Sequence, residues 1–276
     1  AIHEVLVQDD YSTDATTQTA EHFRAVENEH DLSITVVRHP RNLGYGGNQK
    51  VGYDHAIANG WDVVVLLHGD GQYAPEVMPE LVAPIVAGDA DAVFGSRMMR
   101  RGEARAGGMP LYKYVGNRIL TTIQNRLTGL GLSEWHSGYR AYRVSALAEI
   151  AYGDNSDVFD FDTEIILQLA AAKKTIVEVP IPTYYGDEIC RVNGMRYAFD
   201  VVVDTTRYRL QRVGFGSGGY RGPDKTYEFK TSPHSSHGSI AAMVGDRTDR
   251  PLLDVGCGSG ELAAVLRAAG HTVLGV

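Results

Sequence analysis

An α/β fold with a doubly wound, mostly parallel sheet is what this sequence of 276 residues predicts. Apolar runs of strand length alternate with helical segments, and two acidic loops directly follow two of those runs. In open α/β sheets such loops line the crevice where ligands bind.

The elements follow in order. Val5-Leu6-Val7 gives a strand over 4–8 that runs into Asp9-Asp10-Tyr11-Ser12-Thr13-Asp14, and the segment after it predicts a helix over 14–29. The β-branched run at 34–38 gives the next strand, and a helix follows over 46–59. Trp61-Asp62-Val63-Val64-Val65-Leu66-Leu67 reads as a buried strand over 62–67, because a continuous apolar run is what a strand covered on both faces requires. Its end delivers His68-Gly69-Asp70-Gly71-Gln72 to the crevice. Helices over 75–87, 110–128, 160–173 and 195–211 and strands over 91–94 and 176–181 complete the alternation.

The two acidic loops suit a nucleotide-sugar donor. Its diphosphate leaves carrying negative charge that must be offset in the transition state, and a divalent metal held by a carboxylate does this. Asp70 is placed to be that carboxylate, and Asp10 to accept hydrogen bonds from the base or ribose.

At these residues the chain resembles glycosyltransferase family 2 of the GT-A fold, in the branch of dolichyl-phosphate mannose synthase and related polyprenyl-phosphate glycosyltransferases. Asn42-Leu43-Gly44-Tyr45-Gly46-Gly47-Asn48 is similar to the family's Asn-x-Gly-x-Gly segment. Gly95-Ser96-Arg97 follows a strand, and Glu134-Trp135-His136-Ser137-Gly138-Tyr139-Arg140 resembles the acceptor-side motif. Each motif is weak alone; four in the family's order, over residues 1–212, are strong.

The resemblance implies an inverting transferase that moves a hexose from a UDP- or GDP-sugar to an acceptor, either a polyprenyl phosphate or a glycan. It implies Mg2+ or Mn2+ at Asp70 and His68, and donor contacts from Asp9, Asp10, Asp14, Asn48 and Gln72; Arg97 and Arg101, from a locally basic stretch, are candidates for donor or acceptor phosphate contacts. Asp70, Glu134 and His136 are its catalytic candidates. His68 stands where the family writes Asp; imidazole can coordinate manganese or sit behind the metal's own ligands. A sugar-nucleotide-binding remnant without transfer activity, and a glycan-hydroxyl glycosyltransferase fused to a methyltransferase, are the competing readings.

Charge and composition narrow the partners. A formal net charge of −8 argues against nucleic acid. Only Cys190 and Cys257 occur, which supports neither a disulfide framework nor a zinc cluster and fits the cytoplasm. No apolar run approaches the roughly 20 residues of a membrane helix. Against the acidic whole, Arg97, Arg100, Arg101, Arg105, Lys113, Arg118 and Arg126 share a stretch whose one acid is Glu103, interleaved with Met109, Leu111, Tyr114, Val115, Ile119 and Leu120. A phosphate-bearing lipid acceptor suits it, with peripheral contact at the inner face of a membrane; a solvated amphipathic helix is the bland alternative. A lipid phosphate is already ionised and attacks directly, whereas a hydroxyl acceptor needs a base, for which Glu134 or His136 would serve.

Both ends read as cut. The resemblance implies a β-α unit before Ala1, so residues 1–212 are expected to form a GT-A domain lacking its first strand. Turn-forming residues predict a linker over 213–240. Residues 241–276 give a strand, a glycine loop at Asp254, Gly256, Gly258 and Gly260, a helix and a second strand. That pattern resembles motif I of S-adenosylmethionine-dependent methyltransferases, in which glycines let the backbone approach the cofactor; a nucleotide-binding Rossmann start is the alternative. A truncated Rossmann-like β-α-β is the expectation for this end.

Overall fold

The computed structural model describes residues 2–27, 32–185, 193–213, 215, 236–245, 248–255 and 260–275. The chain divides into one compact unit of residues 1–222 and a second of residues 223–276.

In the first unit the elements run β1 (Val5–Asp9), α1 (Thr16–His22), β2 (Ile34–Arg38), α2 (Gly44–Ala58), β3 (Val63–Leu66), α3 (Met78–Ala87), β4 (Ala92–Ser96), α4 (Glu103–Ala106), α5 (Leu111–Thr128), β5 (Arg140–Arg143), α6 (Val144–Ala148), α7 (Phe161–Ala171), β6 (Ile176–Pro180) and α8 (Gly194–Arg212). A π-helical turn, Phe23–Glu27, extends α1, and a 3-10 turn, Pro75–Val77, leads into α3.

The fold is α/β. β1 and β2 pair in parallel; the other four strands form a sheet in the order β3-β5-β4-β6. β4 and β6 are parallel, while β5 runs antiparallel to both β3 and β4. β5 is the strand that sequence reasoning did not anticipate. Its four residues, Arg-Ala-Tyr-Arg, are too short and too charged to read as a buried strand, yet Arg140 is 1 % exposed.

Strand alternation divides the core between the two faces of this sheet. Ala92 and Phe94 of β4, Tyr142 of β5 and Ile176 of β6 join one cluster, filled by Tyr53 of α2, Trp135 and Phe161, Ile165 and Ile166 of α7. Val93, Ala141, Val177 and Val179 point the other way, against Leu81 and Ile85 of α3 and against Tyr73 and Tyr139. Helices therefore cover both faces, and the C-terminal ends of β3 and β4 emerge together.

The second unit holds α9 (Ser236–Val244), β7 (Leu252–Asp254), α10 (Glu261–Ala268) and β8 (Val273–Gly275). β7 and β8 pair in parallel, and Ala263, Leu266 and Val273 form a small core. This is the expected β-α-β, with α9 lying across the boundary expected at residue 240. Gly256 and Gly258 lie outside the described residues.

Candidate active site

The loop after β1 spends its carboxylates on its own backbone. Asp9 is buried and accepts from the Ser12 amide at 2.8 Å and from the Thr17 hydroxyl. Those hydrogen bonds hold its carboxyl below the usual range. Asp14 accepts from the Thr16 amide at 3.0 Å and sets the start of α1. Asp10 reaches across to α2, taking the Leu43 amide at 2.6 Å and the Gly44 amide at 3.1 Å. A carboxylate there satisfies orphan donors and the helix dipole together. All three acids expected at the donor thus have internal partners that fix the loop's shape.

The glycine segment is explained by what it touches. Gly44 has φ +81°, and a Cβ at Gly46 would lie 2.4 Å from the Ser156 carbonyl oxygen and 2.8 Å from Phe161 Cβ, so α2 can approach the 155–161 segment closely. Asn48, expected at the donor, bonds through Oδ1 to His39 Nε2 at 2.8 Å.

At the end of β3, His68 is held by aromatic edges. Its ring meets Tyr45 at 5.6 Å and Tyr73 at 5.1 Å, both T-shaped, and Nε2 lies 3.4 Å from the Tyr45 hydroxyl. Burial pushes its imidazole below the ordinary value, against the opposing pull of Asp162 and Asp70, and so favours the neutral ring. Tyr45 donates to Asp162 at 2.8 Å, and Asp162 in turn faces Arg140 at 3.7 Å. Gly138 passes over the His68 ring where a Cβ would lie 2.5 Å from Cε1. Asp70 is exposed and accepts from the Gln72 amide at 3.0 Å. Among the described residues no group of three His, Cys, Asp or Glu side chains gathers to hold a metal unaided. Asp70 fits a site of the kind in which one carboxylate and the substrate's phosphates share a divalent cation.

Past β4 the geometry differs from what sequence reasoning assigned. Glu134 is buried, and its carboxylate accepts from the Arg97 amide at 2.7 Å, from Arg97 Nε at 3.1 Å, from Arg97 Nη2, and from Asn117 Nδ2 at 2.7 Å. Burial alone would raise its carboxyl, but the charge and hydrogen bonds of Arg97 outweigh that and hold it low. Arg97, expected to meet phosphate, is thus neutralised within the protein, and Glu134, expected as a base, is tied to it. Glu178, which sequence reasoning missed, clamps the same loop by accepting from the Ser133 and Glu134 amides at 2.7 and 3.1 Å.

His136 contacts the Tyr197 hydroxyl through Nδ1 at 2.8 Å, while its buried Nε2 has no hydrogen-bond partner among the described residues. Burial lowers its pKa to about 4. Arg101 lies apart from this network, on a cavity of about 760 Å³ lined also by Met98, Met99, Tyr114, Arg118 and Leu132. The Tyr45–Asp162–Arg140 network was also missed. Its signal is an acid, Asp162, in the first turn of a helix among the core residues Phe161, Ile165 and Ile166.

Comparison with known proteins places the chain. Residues 2–151 match the family described as Glycosyl transferase family 2, and the chain belongs to that family. That stretch lies within the first unit. The UDP-N-acetylglucosamine–dolichyl-phosphate N-acetylglucosaminyltransferase of Methanococcus voltae is 30 % identical over 184 residues, covering 66 % of this chain and 70 % of that protein. The undecaprenyl-phosphate mannosyltransferase of Micrococcus luteus is 31 % identical over 210 residues, covering 75 % and 82 %. Among solved structures, glucosyl-3-phosphoglycerate synthase from Mycobacterium tuberculosis superposes with a TM-score of 0.49 at 18 % identity, over 78 % of this chain and 71 % of that one. The enzyme is a glycosyltransferase.

Proposed function

We propose that this glycosyltransferase moves a hexose from a UDP- or GDP-sugar, with inversion, onto a polyprenyl phosphate. The observation that carries the reading is the state of Glu134: its carboxylate is occupied by Arg97 and Asn117. A hydroxyl acceptor would need a base, and with Glu134 committed only His136 is left, which burial makes a weak one; an ionised lipid phosphate needs none. The cavity bearing Arg101 and Arg118 supports the same acceptor, since arginine forks suit phosphate while Met98, Met99 and Leu132 suit the first isoprene units. The names of both relatives above carry a polyprenyl-phosphate acceptor.

On this reading Asp70 holds Mg2+ or Mn2+, which offsets charge on the departing diphosphate. The loop shaped by Asp9, Asp10 and Asp14 receives the nucleotide, Gln72 supports it, and His68 is a neutral wall behind Asp70. The chain works at the inner face of the membrane that holds its acceptor. In the second unit, Gly260 begins α10 at φ +87° and Asp254 buries an Oδ2 without a partner among the described residues. That pair supports reading β7-α10-β8 as an S-adenosylmethionine-binding β-α-β unit.

Steady-state kinetics test the main reading. Arg101→Ala is expected to raise KM for a polyprenyl phosphate about tenfold with donor KM unchanged, and high salt to reproduce the defect. Asp70→Asn is expected to abolish transfer, with His68→Ala losing only part of it. Unchanged kinetics in Arg101→Ala, together with transfer to a glycan hydroxyl, would overturn it. Nucleotide binding without transfer to either acceptor would select the inactive remnant.

A further inference from the structure

Among the described residues, two other than glycine hold a left-handed backbone: Tyr11 at φ +67° and Lys173 at φ +58°. Lys173 is explained by the helix it ends. Its amide and that of Lys174 donate to the Ala170 and Leu169 carbonyls at 3.1 and 2.9 Å, the hydrogen bonds with which a left-handed residue closes α7. Tyr11 ends no helix. It lies in the turn after β1, where the Ser12 amide donates to Asp9 at 2.8 Å, and where glycine or asparagine would meet less steric cost than a bulky side chain. A strained residue held in place by its surroundings points to a use for its side chain.

The ring of Tyr11 is backed on one side and open on the other. The Arg38 guanidinium lies over it, 5.6 Å from the ring centroid, yet the residue remains 50 % exposed. Arg38 is itself held, donating from Nη2 to the Ser12 carbonyl at 2.9 Å and lying 3.9 Å from the Asp9 carboxylate. Arg38 is also the register partner of Asp9 in the parallel pair β1-β2. Both residues therefore stand at the carboxyl ends of their strands, the side on which open α/β sheets bind ligands. The acids around them are committed: Asp9 to Ser12, Asp10 to the first amides of α2, Asp14 to Thr16. What the loop still offers a ligand is chiefly the aromatic face.

We infer that Tyr11 is a base-stacking residue for the donor, the nucleobase lying flat on the open face of the ring with Arg38 behind it. The inference rests on the reading of this loop as the nucleotide's place and names the group that would grip the base. An exposed cation–π contact is by itself too weak to offset a left-handed tyrosine, so fixing the loop is a poorer account of the residue. Every base has a π-face, so Tyr11 adds affinity without choosing between uracil and guanine.

Calorimetric titration of the full chain with UDP and with GDP, in the presence of Mn2+, tests this. Tyr11→Asn accepts a left-handed backbone but has no ring, and is expected to weaken whichever nucleotide the parent binds about tenfold, while Tyr11→Phe binds as the parent does. Both variants should keep Tm within about 2 °C of the parent. The base protons of the bound nucleotide should shift upfield in NMR spectra with the parent and with Tyr11→Phe, through the ring current, and not with Tyr11→Asn. In transfer assays Tyr11→Asn should raise donor KM and leave kcat and acceptor KM near the parent's. Equal affinity of parent and Tyr11→Asn would overturn the inference and leave the nucleotide reading standing. A weakened Tyr11→Asn with no upfield shift in the parent would overturn it too, since the residue would then act by shaping the loop. A parent that binds neither UDP nor GDP would overturn the nucleotide reading and the inference together.

Discussion

Replacing Glu134 with Gln keeps the shape of the side chain and removes its charge. The side chains of Arg97 and Glu134 are 10 % and 0 % exposed, so the substitution strands a guanidinium where water cannot compensate it. Breaking a buried pair by removing one partner costs about 3–5 kcal/mol. Gln still accepts from Arg97 or Asn117, which puts the expected loss at the lower end, about 3 kcal/mol. For a unit of this size that lowers Tm by about 6–12 °C, read by circular dichroism and matched by a urea titration. Arg97→Met with Glu134→Leu should recover most of the loss, because an apolar replacement of a buried pair is often close to neutral. A free general base behaves otherwise, with kcat falling about 10²-fold or more at unchanged stability. A Tm for Glu134→Gln within about 1 °C of the parent would refute the argument that this carboxylate is committed to Arg97.

Three further outcomes are expected. Gly46→Ala should lose about 1–3 kcal/mol through collision with Ser156 and Phe161, whereas Gly116→Ala, in α5 with nothing near its Cβ direction, should gain about 1 kcal/mol; urea titrations of the two distinguish packing from propensity. Asp10→Ala should cost about 1–2 kcal/mol by freeing the first amides of α2, with Asp10→Asn costing less, and equal stability of all three proteins would disprove the capping role. Burial raises Glu164 to about 7, above its unfolded value, so the folded state takes up that proton more readily. The stability it contributes is complete below the unfolded pKa and is lost as pH rises through about 7; Glu164→Gln should flatten the fall in Tm across that window.

Periodicity was enough to read most of the fold. The run Val63-Val64-Val65-Leu66 and the alternation that sends Val93 and Phe94 to opposite faces carry their own signal, and α5 and α8 lie within a residue of where the pattern puts them. β5 was illegible because its burial depends on partners distant in sequence: Arg140 is stable inside through the Ser137, Trp135 and Asp162 carbonyls, which no local pattern reveals. The site divides the same way. Loop positions follow from strand ends, so Asp70 and Arg97 stand where the apolar runs stop. Which carboxylates remain open to a ligand depends on pairing across the fold, and so Asp10, bound to α2, and Glu134, bound to Arg97, looked freer in the sequence than they are.

The antiparallel insertion of β5 bears on how the enzyme is made. Arg140 pairs with Leu66 on one side and Phe94 on the other, so β3 and β4 have no shared neighbour until this late segment of the chain arrives. Two strand widths, about 10 Å, then separate the loop of Asp70 from that of Arg97. During synthesis the early strands must wait for this long-range pairing, a slow class of contact. A nascent chain released short of Tyr142 would take from Val63, Val64 and Val65, at the end of the sheet β3-β5-β4-β6, the one strand they pair with, leaving them ready to pair with the same strand of another chain.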